Sequence, residues 1–291
     1  MRLNLFIIFL SLSACAFGQS NTDMARQLPY TLQNITFESA GTALAGTIFL
    51  PERPKSAIVL IHGSGQEKRM VKLGADLAAR GFAVLTYDKR GVGESGGVYA
   101  GPEAGTNNID TTNLNLLAAD AAAACKFLAA HLTRKRTAIG LMGASQAGWV
   151  IPLAATKTPL VKFMVIFSGP VVTTLAQLRF QFYTNGNTAF WDSHSEAEAL
   201  EHIKNDPDRY KFEAFDPNPA LLKLNIPALW VFGGKDIQVP VSLSINNLKT
   251  LQATGKKFEY VLFPELGHNT LFSKSTEPLS TAEHWMRGHF K

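Results

Sequence analysis

The chain has 291 residues, 46% of them hydrophobic and 18% charged. That is long enough for one large buried core and too apolar for a disordered chain. The net charge is +5, but Lys and Arg are scattered. Their one tight cluster, Arg134-Lys135-Arg136, falls in a short turn and reads as solvated surface rather than a nucleic-acid patch.

In chain order, Met1 to Gly18 reads as an export signal. Arg2 is a minimal positive region, Leu3 to Leu12 a short apolar core, and Ala16-Phe17-Gly18 offers small residues where a signal peptidase reads. The apolar core is too short to span a membrane. "LSAC", Leu12 to Cys15, also fits a lipobox, so a lipid anchor at Cys15 stands as the alternative to cleavage after Gly18. Both routes place the protein outside the cytoplasm, in the periplasm or secreted. Only one other cysteine occurs, Cys125, so no internal disulfide is expected once Cys15 is removed or lipidated. Cys125 sits in an alanine-rich helical stretch, as a small buried hydrophobe does.

Beyond the signal, strands and helices alternate. Ala43 to Pro51 alternates in polarity, as an edge or antiparallel strand does. Ser56 to Gly63 is a continuous β-branched run, as a buried parallel strand is. A helix is predicted from about Met70 to Arg80, stopped by Gly81, then a buried strand over Phe82 to Asp88. A glycine-rich loop, Gly91 to Gly105, leads to a long helix from about Asn113 to Leu132, with Thr111 or Thr112 as its cap. The strand "TAIGLMG" runs into a serine boxed by small residues and a helix ending near Pro159. Val161 to Gly169 is one more buried strand. The rhythm then breaks: residues 170–224 are polar-aromatic and read as a helical insertion. It resumes with the strand Pro227 to Gly234, a helix over Val241 to Ala253, the strand Phe258 to Pro264 and a last helix to Phe290. Such alternation predicts an α/β fold, a mostly parallel sheet flanked by helices. Residues 30–169 and 225–291 would form its core, and 170–224 a cap.

The boxed serine, "GASQAG", sits between a buried strand and a helix. A serine can be lifted clear of a sheet edge on a sharp strand-to-helix turn, but strand and helix then approach so closely that the residues two before and two after must lack bulk. Gly143 and Ala147 meet that demand around Ser145, with Ala in place of the second glycine of G-x-S-x-G. "GVGESG", Gly91 to Gly96, also matches the dinucleotide pattern G-x-G-x-x-G. Further Gly and Pro follow it, so no helix can open there to hold a pyrophosphate. No H-E-x-x-H, phosphate-binding loop or paired-cysteine pattern occurs, and no cofactor or metal is implied.

Five segments carry a resemblance: "HGSG" (His62 to Gly65), "YDKRGVGES" (Tyr87 to Ser95), "GASQAG" (Gly143 to Gly148), "GGKDIQVP" (Gly233 to Pro240) and "ELGH" (Glu265 to His268). In this order, at the ends of successive strands, they resemble the α/β-hydrolases, and more closely bacterial carboxylesterases and serine-aminopeptidase-like hydrolases with a short cap. The resemblance runs from about residue 30 to the end. It implies a triad in the chain order nucleophile, acid, base: Ser145, Asp236 and His268. It also implies an oxyanion hole made by the backbone N–H of Gln146 and of Ser64, with Gly63 the alternative to Ser64. His62 comes too early in the chain for the base and is expected to be packed and hydrogen-bonded. Asp88 and Arg90 are expected to brace the loop that follows them. The activity implied is hydrolysis of a small-molecule carboxylic ester, and an apolar aromatic insertion suits a short to medium acyl length; no nucleic acid or membrane span is expected. Exopeptidase or amidase activity on the same triad, or a non-catalytic role on a hydrolase fold, are the competing readings. Among the cap aromatics, Phe180, Tyr183 and Trp191 are the expected lining of an acyl pocket.

Overall fold

The computed structural model describes residues 28–101, 107–134, 136–206 and 213–290. The export segment with Cys15, and Lys135 of the basic cluster, lie outside the described residues.

Eight strands form one sheet: β1 (Tyr30–Ser39), β2 (Thr42–Pro51), β3 (Ala57–Ile61), β4 (Ala83–Tyr87), β5 (Ile139–Ala144), β6 (Val161–Phe167), β7 (Ala228–Gly233) and β8 (Phe258–Phe263). Their spatial order is β1-β2-β4-β3-β5-β6-β7-β8. β2 runs antiparallel to both β1 and β4, and the remaining pairs are parallel. The expected antiparallel strand is thus β2, but it is not the edge. β1, which the apolar runs do not announce, covers it. β1 is exposed over its first half and buried at alternate positions only in its second half, so its polarity pattern is weak.

The period of two sorts the side chains of the central strands between two cores. Ala57, Val59 and Ile61 of β3 join one cluster, and Ile58 and Leu60 join the other. The first cluster packs under α2 (Thr111–His131), α3 (Ala147–Lys157) and α7 (Val241–Ala253), through residues such as Leu117, Trp149 and Leu248. The second packs under α1 (Val71–Ala79) and α8 (Glu277–His289), through Leu73, Leu77, Trp285 and Met286. Cys125 is fully buried in the first cluster as a free thiol, and burial pushes its pKa up to about 12. α2 is capped one residue earlier than Thr111 or Thr112: the Asp110 side chain accepts from the N–H of Thr112. Asp ranks with the strongest N-caps, and its carboxylate also meets the positive end of the helix.

Between β6 and β7 the described residues form helices and no strand: α4 (Thr174–Thr184), a 3-10 turn at Phe190–Asp192, α5 (Glu196–Asn205) and α6 (Asn218–Lys223). α4 and α5 enclose a small core of their own, built on Phe180, Ala199 and Ile203. Phe215, Leu221 and Leu224 instead join the first body cluster, so the last stretch of the insertion already belongs to the body.

Candidate active site

β5 delivers Ser145 to the carboxyl edge of the sheet. The Ser145 N–H donates to Phe167 O on β6, and the chain enters α3 immediately afterwards. Ser145 itself is left-handed, with φ 56°, a conformation that strains a non-glycine residue and persists only where the surroundings impose it. The small neighbours are sterically required. A Cβ on Gly143 would stand 2.4 Å from Ile61 O and 2.7 Å from the Ala147 methyl, and one on Gly148 would meet Pro170 N at 2.6 Å. The departure from G-x-S-x-G is thereby explained: the Ala147 methyl fills the space that Gly143 leaves.

Asp236 and His268 come from the loops after β7 and β8. These loops are tied by the Lys235 N–H to Leu266 O. Asp236 is buried and gives its two oxygens separate partners. Oδ1 accepts the backbone N–H groups of Gln238 and Val239 at 2.7 and 2.9 Å. Oδ2 lies 2.8 Å from His268 Nδ1. The carboxylate can only accept there, so Nδ1 carries the proton and Nε2 is left as the acceptor. His268 and Ser145 line one cavity of about 210 Å³, with Ile61, Met70, Leu271 and Phe272 as apolar walls and Glu67 and Gln238 as polar ones.

Ser64 lines the same cavity. Among the described residues neither its N–H nor that of Gln146 finds an acceptor, whereas the N–H of Gly63 donates to Glu67 Oε2 at 3.0 Å. Of the two sequence candidates for the second oxyanion donor, Ser64 is therefore the one with a free N–H.

The expected acyl-pocket aromatics are placed elsewhere. Phe180, Tyr183 and Trp191 are not among the residues that line the cavity. Phe180 stacks on Trp191 in the cap core, and Tyr183 stacks on His202 at 4.0 Å between ring centroids. Trp191 Nε1 donates to Asp236 O at 2.9 Å, and Thr184 Oγ1 donates to Ile237 O at 2.7 Å, so the insertion grips the loop that carries Asp236. The cavity's apolar walls come from the body instead. Aromatic content marks the cap as well packed, but it does not say toward what the rings point.

His62 is buried, and its Nε2 donates to Tyr87 O at 2.6 Å. Burial, then the neighbouring Lys89 charge, push its pKa down to about 3, so it stays neutral. Asp88 receives Arg69 and the N–H of Glu94, and Arg90 forms a buried ion pair with Asp120, so both brace the glycine-rich loop. No helix opens over 91–101, as a pyrophosphate site would need. Among the described residues no group of three His, Cys, Asp or Glu side chains is placed to hold a metal, and no helix is long and apolar enough to cross a membrane. Lys89, which lies inside the segment Tyr87 to Ser95 but has no role assigned there, and Asn108, outside all five segments, hydrogen-bond the loops that carry Ser64 and Gln146. A lysine ending an apolar strand was the available signal for the first; nothing in sequence marks the second.

A mostly parallel eight-stranded sheet with helices on both faces, carrying a strained serine at the tip of a strand-to-helix turn, defines an α/β-hydrolase. The chain belongs to the prolyl oligopeptidase family, which matches it over residues 72–291; the family is of serine-hydrolase type. Solved structures agree at the level of the fold. An esterase of Pyrococcus furiosus is 14% identical with a TM-score of 0.65, over 90% of this chain and 92% of that one. A putative dienelactone hydrolase of Klebsiella pneumoniae is 15% identical with a TM-score of 0.62, over 88% and 98%. The acylaminoacyl peptidase of Pyrococcus horikoshii is 18% identical with a TM-score of 0.62, over 89% of this chain but only 41% of that protein. No curated protein sequence matches the chain.

Proposed function

We propose that the protein is a carboxylic ester hydrolase acting through Ser145, His268 and Asp236. Ser145 Oγ attacks the acyl carbonyl while His268 Nε2 takes its proton. The oxyanion is received by the N–H groups of Gln146 and Ser64. His268 then protonates the departing alcohol, and water repeats the sequence on the acyl-enzyme to release the acid. Asp236 holds the tautomer and stabilises the imidazolium. The observation that carries this reading is the 2.8 Å contact between Asp236 and His268 beside a cavity shared with a left-handed Ser145.

The cavity is smaller than the roughly 300–1,000 Å³ of a drug-sized site, and among the described residues its apolar wall is confined to Ile61, Met70, Ala144, Leu271 and Phe272. That supports a short acyl chain. Family membership favours a second reading, cleavage of an amide or peptide bond by the same groups. A panel of nitrophenyl esters and aminoacyl anilides, with Ser145→Ala as control, separates the two. Ester turnover that falls with acyl length and vanishes in the variant is expected. Faster anilide turnover would favour the peptidase, and a fully active variant would end the triad assignment. Export, by cleavage after Gly18 or by lipidation at Cys15, is part of the proposal. Mass spectrometry of the mature N-terminus would tell the two routes apart.

A further inference from the structure

Lys89 leaves the end of β4 and turns inward beneath the site, where it is almost wholly buried. Its Nζ donates to Gly63 O at 2.7 Å, to Gly65 O at 3.3 Å and to Gln146 Oε1 at 3.0 Å. These acceptors belong to two separate segments, the loop after β3 and the turn after β5. An ammonium has three donors, and here all three are used. On the other side of Gln146, its Nε2 donates to Asn108 O and Asn108 Oδ1 at 2.7 and 3.0 Å, and Asn108 Nδ2 donates to Ser64 O at 2.8 Å. The chain of contacts therefore closes: Lys89, Gln146 and Asn108 join the residues that carry the two free N–H groups.

The contact with Gly63 O has a particular consequence. Gly63 C=O and Ser64 N–H are the two ends of one planar trans peptide and point in opposite directions. A donor fixed on the carbonyl fixes where the N–H aims. A charged donor also polarises the peptide, making that N–H a stronger donor. Burial pushes the Lys89 ammonium down to about 8, with Glu67 pulling the other way, so at neutral pH the donor is charged.

We propose that Lys89 is a positioning residue for the oxyanion hole: through the Gly63–Ser64 peptide and the Gln146 side chain it sets the direction of both N–H donors. The inference rests on the proposed triad reaction and adds a part to it. Lys89 touches neither substrate nor the reacting atoms.

The test is Lys89→Met, which keeps the length and apolar stem of the side chain and removes its donors. Losing an oxyanion donor outright typically costs about 10²–10³ in kcat. With the donors kept but unaimed, a loss of about 10- to 100-fold in kcat is expected, with KM within about threefold. A trifluoromethyl ketone that forms a hemiketal on Ser145 should lose affinity by the same factor as kcat/KM, which a merely structural lysine would not produce. Asn108→Ala, which cuts the other side of the same chain, should show a smaller loss of the same kind and serves if Lys89→Met does not fold. A folded Lys89→Met enzyme with kcat/KM and ketone affinity near wild type overturns the inference and leaves the triad standing; so does an Asn108→Ala enzyme with both unchanged where Lys89→Met does not fold. Wild-type turnover that survives Ser145→Ala overturns both.

Discussion

The two oxygens of Asp236 cannot exchange roles. Oδ1 is held by the N–H groups of Gln238 and Val239, and only Oδ2 faces His268. An Asn at this position must keep its carbonyl on the two N–H groups, which turns its NH₂ toward the imidazole. The ring would then have to present a bare Nδ1 and carry its proton on Nε2, where the proposed base must be free. Asp236→Asn is therefore expected to lower kcat by up to about 10⁴-fold with the melting temperature nearly unchanged. Steady-state kinetics on a nitrophenyl ester with parallel thermal melts checks it, and a loss below tenfold would assign the acid elsewhere. At this scale the sequence marks residues where chemistry demands a type at a strand end, as for Ser145, Asp236 and His268, and the structure sets Asp236 against His268 and puts His268 and Ser145 on one cavity. The sequence is silent where a side chain is recruited through space. Asn108 precedes α2 with nothing around it to mark it, and its partners Ser64 and Gln146 are 44 and 38 positions away.

Elements set the tolerances. α3 runs so close to the chain leaving β6 that Gly148 lies against the backbone of Gly169 and Pro170. A methyl there meets main chain, which cannot swing aside as a side-chain tip can. Gly148→Ala is expected to destabilise the fold by about 1–3 kcal/mol, read from urea midpoints, and to reduce ester turnover by shifting the serine's turn. A variant as stable and active as wild type would show that the turn has slack. Periodicity made most elements visible, because buried parallel strands are continuous apolar runs and the helices between them are bounded by Gly, Pro or polar caps. β1 escaped since half of it faces solvent, and the cap aromatics misled since packing a small helical core and lining a pocket call for the same side chains.

At the scale of the whole molecule, the glycine-rich loop is fastened to both ends of the chain's first half by buried charges. Arg90 binds Asp120 of α2 and also Ser39 O and Thr42 near the β1–β2 turn. Asp88 takes Arg69 in a two-pronged contact. Burial alone would raise the Asp88 pKa, but the hydrogen bonds from the Arg69 side chain and backbone and from Glu94 N outweigh it and bring it down to about 2. A carboxylate with its folded pKa below the ordinary value gives stability that is present above that ordinary value and is lost as pH falls through about 2. Arg69→Met should therefore be less stable than wild type at pH 7, and the gap in urea midpoint should narrow as pH drops from about 4 toward about 2. A gap independent of pH would mean that Arg69 acts through packing or through Gly46 O instead.

The hold of Trp191 and Thr184 on the carbonyls of Asp236 and Ile237 has a mechanical corollary. The helices between β6 and β7 cannot shift without breaking these two contacts or carrying the main chain at Asp236 and Ile237 with them, so the place of the proposed acid depends on a segment whose described residues contribute no wall to the cavity.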